Sequence, residues 1–324
     1  MTGSNPNVSD PPERAGSGHR PVSQPSTDLE ATSAAGTGPI VDAHTHIFPP
    51  EICEGRHHYT PRDLWFEHLY EHPGALLVHA EELIASMRAA GISRSVACGF
   101  PWRDPGLCRE HNDYLAAAAA AYPDAISWLG TVSPMSRDAA AEVERCFALG
   151  AAGIGELNAD AQEFDFREPD ALAPVVEVCR AYGKPLLLHV SEPLGHAYRG
   201  KGTATPERFV RFLARYPDLP VIAAHWGGGL PFYELMPEIA VLARNVVYDS
   251  AASTYLYRFE VFRAVLDIVG PERVMMASDF PVLKQGRFLR KTLAANLHPA
   301  EVPLVVGGTA IRVFDLPERG ANRD

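Results

Sequence analysis

From Gly38 onward, short apolar runs rich in aliphatic residues alternate with stretches whose apolar positions recur every three or four residues. The first pattern reads as buried strands and the second as amphipathic helices. The runs predict strands at 40–44, 94–99, 126–132, 152–156, 185–190, 220–225, 245–249 and 273–279. The periodic stretches predict helices at 79–90, 111–122, 137–148, 170–182, 206–216, 231–243 and 259–269. Gly91, Gly150 and Gly183 follow three of these helices, where a left-handed cap suits glycine. Pro206, Pro231 and Pro271 stand near helix starts, where a missing N–H costs little. Eight strands alternating with helices predict a parallel sheet with right-handed crossovers. Eight is also the number that closes into a (β/α)8 TIM barrel. A doubly wound open sheet is the alternative, but it would focus chemistry at one switch point.

The polar residues that close these runs do not cluster at one point of the sequence. PIVDAHTH ends on His44 and His46, AAGIGE on Glu156, KPLLLH on His189, LPVIAAH on His225 and RVMMASD on Asp279. In a parallel barrel all carboxyl ends of the strands open onto one face, so residues far apart in sequence converge there. Side chains at i and i+2 of a strand share a side. His44 and His46 can therefore aim at one ion, with Asp42 expected on the same side, one step deeper. Imidazoles with carboxylates suit Zn²⁺, Mn²⁺ or Fe²⁺. A metal-dependent enzyme follows as the expectation, with zinc first and one or two ions.

Composition narrows the setting. Residues 1–38 are rich in Ser, Pro, Gly and Thr with almost no large apolar side chain, which predicts a disordered tail before a single domain at 39–324. No signal-peptide core and no membrane-length apolar run is visible. The five cysteines are scattered without a C-x-x-C pair, as expected of reduced thiols in a cytoplasmic protein. A formal net charge of −11 disfavours a nucleic-acid partner. A long insert at 47–78 after the first strand carries His57, His58, Tyr59, Trp65, Phe66 and Tyr70. Its aromatics predict an ordered lid or a homodimer contact, and its paired histidines are read as surface residues.

VDAHTHIFPP, LLLHVSEP, AAHWGGGLPFYELMPEI and MMASDFP together resemble the amidohydrolase superfamily, in the branch of amidohydrolase-related hydrolases and decarboxylases. The resemblance covers nearly everything after residue 39 and implies a distorted β/α barrel with one or two divalent metals. It implies His44, His46, His189 and Asp279 as ligands. His225 becomes a second-site ligand or an acid–base group, and Asp279 also takes a proton from bound water. Many two-metal members carry a carboxylated lysine at the end of strand four. Here Glu156 stands in that place, which resembles the TatD-like metal hydrolases. Glu156 either bridges to a second metal or hydrogen-bonds a ligand histidine.

Loops after the strands supply the substrate candidates: Trp102 and Arg103 after strand two, His196, Tyr198 and Lys201 after strand five, and Tyr255 after strand seven. Cations beside aromatics point to a small carboxylated molecule. The first expectation is hydrolysis of an amide, cyclic amide or lactone by a metal-activated water, with Asp279 and His225 handling the proton. The same ligands also serve non-oxidative decarboxylation of an aromatic or enoic acid. A phosphoesterase and a non-catalytic barrel with a structural metal are the remaining rivals.

Overall fold

A computed structural model describes residues 38–317; the stretch 1–37 of the expected tail lies outside the described residues. The strands are β1 (Val41–His46), β2 (Arg94–Cys98), β3 (Ile126–Gly130), β4 (Gly153–Leu157), β5 (Leu186–Leu188), β6 (Val221–Ala223), β7 (Val246–Asp249) and β8 (Val274–Met275). They form one sheet in the order β1 to β8 with every neighbouring pair parallel. Three backbone bonds bring the β8 end back to β1: Ala43 N donates to Met276 O at 3.0 Å, Asp279 N to His44 O at 3.0 Å, and His46 N to Phe280 O at 2.7 Å. The sheet is a TIM barrel, as the alternation of strands and helices predicts.

Alternation along each strand separates two apolar layers. Val96, Cys98, Leu187, Ile222, Val247 and Met275 fill the barrel interior. Their neighbours Ala97, Leu186, Leu188, Val221 and Ala223 face the surrounding helices. Ala310, Phe314 and Leu316, from the helix Thr309–Phe314 and the residues after it, pack onto the interior layer.

Several elements differ from the sequence expectation, each for a local reason. β5, β6 and β8 are shorter than expected, ending at Leu188, Ala223 and Met275, so that His189, His225 and Asp279 follow the strands rather than close them. The helix expected at 111–122 begins at Pro105, capped by Asp104, whose carboxylate accepts from Gly106 N and Leu107 N. The helix expected at 231–243 is split into Leu230–Tyr233 and Pro237–Leu242, since Pro237 starts a new helix. In β1 the register against β2 shifts between Asp42 and Thr45. That shift turns Asp42 away from the side of His44, against expectation. Asp42 instead accepts from Ser278 N, Ser278 Oγ and Gln285 Nε2.

The insert is ordered. It folds into the short helices Pro50–Glu54, Arg56–Tyr59 and Leu64–Tyr70, and buries Phe48, Ile52 and Phe66 against Phe100, Trp102 and Leu107. Asp63 pins it twice: Oδ1 accepts from Trp65 N and Phe66 N to cap the helix, and Oδ2 accepts from Arg103 N of the loop after β2. His57 and His58 are exposed, as expected.

Candidate metal centre and active site

The six expected residues do converge. His44 and His46 come from β1 and Glu156 from β4, while His189, His225 and Asp279 lie just beyond β5, β6 and β8. His225 (φ 57°) and Asp279 (φ 62°) both hold left-handed backbone, a conformation that costs energy in residues other than glycine. Each uses it to swing a side chain inward from a shortened strand. At Gly155, with φ 138°, an added Cβ would collide with the carbonyl oxygen of Leu187, so only glycine allows β4 to pass β5 this closely just before Glu156.

His44 is fully buried and donates from Nδ1 to Asp249 Oδ2 at 2.8 Å. That bond orients the ring, so that the neutral form a cation would select has its Nε2 lone pair aimed into the centre. The lone pair faces His46 Nε2 at 3.0 Å and Glu156 Oε2 at 3.5 Å. His46 Nε2 in turn lies 3.5 Å from Asp279 Oδ1 and 3.7 Å from Glu156 Oε2. On the far side Glu156 Oε1 accepts from His189 Nδ1 at 2.8 Å and from His225 Nε2 at 3.1 Å. Two triads result, His44–His46–Asp279 and Glu156–His189–His225, each with its ligand atoms within 4.8 Å of one another.

The donor set fits a divalent cation. Lone pairs from His44, Asp279 and Glu156 gather around His46, whose own Nδ1 is buried with no hydrogen-bond partner. Such a cluster of imidazole and carboxylate acceptors suits manganese, iron or zinc. Burial pushes the Glu156 carboxyl up, but His189 and His44, together with the bonds from His189 and His225, outweigh it and hold Glu156 well below the usual range. Burial would likewise push the His225 imidazole down. The bond to Glu156 and that carboxylate's charge prevail and lift it to about 9.

A cavity of about 330 Å³ stands on this cluster, with His46, Glu156, His189, His225 and Asp279 at its base. Trp65, Leu69 and Tyr70 from the insert, with Phe100, Leu256 and Val282, form apolar walls. Of the substrate candidates, His196, Tyr198 and Tyr255 line it. Trp102, Arg103 and Lys201 do not. Trp102 is fully buried behind the wall, where its indole N–H donates to His111. Arg103 points outward, 59% exposed, to pair with Glu163 at 2.7 Å. Lys201 donates to the carbonyls of Leu194, Gly195 and His196, closing its own loop rather than reaching a ligand.

A model of the amidohydrolase family matches residues 41–316. The chain belongs to the amidohydrolase family. No protein of curated function matches it by sequence. Among solved structures, the 5-carboxyvanillate decarboxylase of Sphingomonas paucimobilis superposes with a TM-score of 0.72 at 21% identity, over 86% of this chain and 99% of that one. The 5-carboxyvanillate decarboxylase of Novosphingobium aromaticivorans, crystallised with manganese and 4-hydroxy-3-methoxy-5-nitrobenzoic acid, gives 0.71 at 21%, over 86% and 96%. A 2,6-dihydroxybenzoate decarboxylase holding 2,6-dihydroxybenzoate gives 0.68 at 19%, over 86% and 100%. At these identities the likeness establishes a shared fold.

Two features of this amidohydrolase escaped the sequence reading. Asp249 closes β7 and holds both His44 and the backbone of His225, the latter through His225 N to Oδ1 at 2.9 Å. Its signal was available: NVVYD ends on a carboxylate just as the other runs end on ligands. The cavity wall of Trp65, Leu69 and Tyr70 had only the long aromatic insert as its sign. No helix among the described residues is long and apolar enough to cross a membrane.

Proposed function

We propose that this amidohydrolase is a divalent-metal-dependent, non-oxidative decarboxylase of a small aromatic acid. The observation that carries the reading is the apolar cavity standing on a charged base: Trp65, Leu69, Phe100, Leu256 and Val282 above His46, Glu156 and Asp279. A flat ring fits such walls while its carboxylate turns to the base. The likeness in fold to three decarboxylases of aromatic acids supports the same choice. Hydrolysis, the first expectation from the sequence, has the support of the family and the ligand types alone.

His44, His46, His189 and Asp279, with Glu156, would hold the cation. Manganese, present in the Novosphingobium relative, replaces zinc as the ion to test first. A bound cation supplies Lewis-acid polarisation of the substrate's oxygens. In the reaction the bond between ring carbon and carboxylate breaks, its electron pair stays on the ring, and a proton takes the vacated position. One aromatic carboxylate and one proton thus give one arene and CO₂. His225 carries that proton: Nε2 donates to Glu156 and Nδ1 to the carbonyl of Ala251 at 3.3 Å, an imidazolium's arrangement. Asp279 is the second acid–base group open to the cavity. The apolar walls exclude water from the ring carbon.

The test is turnover of a panel of hydroxylated benzoic acids in D₂O and in H₂¹⁸O. CO₂ release with one deuterium on the product ring supports decarboxylation. Incorporation of ¹⁸O into a product without CO₂ would return the function to hydrolysis.

A further inference from the structure

Two residues beyond Glu156, Asn158 keeps extended backbone (φ −125°, ψ 119°), so the alternation of β4 carries through it. Asn158 therefore stands on the same side as Glu156, and both line the cavity. Its side-chain amide is fixed at one end. One atom accepts from the backbone N–H groups of Asp160 at 2.9 Å and Ala161 at 3.1 Å. An amide atom that accepts two N–H groups is the oxygen. The backbone N–H of Asn158 is held in turn by Gln162 Oε1 at 3.2 Å, and Gln162 Nε2 is anchored on the carbonyls of Trp102 and Val132. The whole residue is immobilised with its Nδ2 toward the cavity. Among the described residues Nδ2 donates to none, although Asn158 is only 3% exposed. Nδ2 is not enclosed by protein and so opens on the cavity, where a ligand oxygen can take the hydrogen bond that no protein group takes.

Resting on the aromatic-acid reading above, we infer that Asn158 is a specificity-determining residue. Its Nδ2 donates to an oxygen substituent on the substrate ring, hydroxyl or second carboxylate, at about 7 Å along the strand from Glu156, the span of two strand residues. Both substituents offer the same acceptor. A ring that lacks one leaves the donor unpaired, and sites built to hydrogen-bond a substrate oxygen discriminate strongly against the analogue without it.

The experiment is calorimetric titration of the manganese-loaded full chain with benzoate, the three hydroxybenzoates and the three benzenedicarboxylates. One substituted acid is expected to bind at least about ten-fold more tightly than benzoate; whether it is a hydroxybenzoate or a dicarboxylate identifies the substituent. In N158S the serine still caps the following turn, but the amide N–H is gone and the shorter hydroxyl no longer reaches the ring substituent. The preferred acid should lose roughly 10- to 100-fold in affinity, which amounts to one good hydrogen bond. Benzoate affinity and Tm should hold. N158D is the second variant, because aspartate caps as well as asparagine and presents an acceptor in place of the donor. It should lose the preference too, most for a dicarboxylate. Equal losses for benzoate and the preferred acid, or no preference in the wild type, would overturn the assignment and leave the aromatic-acid reading intact. Failure of every aromatic acid to bind would overturn that reading, and the role of Asn158 with it.

Discussion

His111 allows a quantitative forecast of acid sensitivity. It is fully enclosed between the insert and the loop after β2, and its bonds dictate its protonation state. Nε2 donates to the carbonyl of Ile47 at 2.7 Å, while Nδ1 accepts from the indole N–H of Trp102 at 3.0 Å and the backbone N–H of Phe100 at 3.3 Å. A second proton would have to sit on Nδ1, facing two donors. Burial is the largest cause, and it pushes the imidazole from 6.5 down to about 4. The unfolded chain therefore binds a proton that the folded chain refuses. Stability is full above pH 6.5, falls as pH drops toward 4, and levels off below that. At 1.36 kcal/mol per pKa unit the whole loss is about 3 kcal/mol, of which about 2 kcal/mol is gone by pH 5. The perturbation is His111→Gln, which keeps one acceptor and one donor without titrating. Urea denaturation of both proteins from pH 7.5 to 4 gives the assay, and subtracting one curve from the other cancels acid effects at the metal centre. The difference should shift in favour of the glutamine variant by about 3 kcal/mol across that window. A difference independent of pH would refute the reasoning.

Other consequences follow from the centre and its supports. Asp249→Asn sets an amide against the Nδ1–H of His44 and should weaken metal binding by about 10- to 100-fold in competition with a chelator, with the fold intact by circular dichroism. Glu156→Gln should lower the metal count, from two to one if Glu156 bridges; unchanged stoichiometry and affinity would remove it from the ligand set. Asp42→Asn replaces one of the two acceptor oxygens that serve Ser278 and Gln285 by an N–H donor and should cost about 1–3 kcal/mol in urea denaturation. Phe66→Ala, which empties a fully buried position among Phe48, Phe100 and Trp102, should cost about 3–5 kcal/mol and expose the insert to proteolysis before the barrel.

What the sequence revealed and what it hid have the same physical origin. His44, His46, Glu156, His189, His225 and Asp279 were readable because each closes an apolar run, and strand ends of a parallel barrel share one face. Asp42 was misplaced because a register shift inside β1 breaks the two-residue alternation, and no composition signals it. Trp102, Arg103 and Lys201 were misplaced for a different reason: a loop's sequence gives residue types near a barrel mouth, while backbone bonds decide their direction. Lys201 is consumed by three carbonyls of its own loop. Asn158 went unread in the sequence, since the role proposed for it emerges only once both atoms of its amide can be told apart.

The packing of Ala310, Phe314 and Leu316 against the barrel interior has a kinetic consequence. With that end filled by side chains, the cavity bordered by the insert is the approach to the centre among the described residues. On the proposed function, a cation would have to arrive before the aromatic acid seats above it and could not leave until the product had gone. Loading is therefore ordered, and a bound inhibitor acts as a cork: it should slow the stripping of metal by a chelator in proportion to its occupancy.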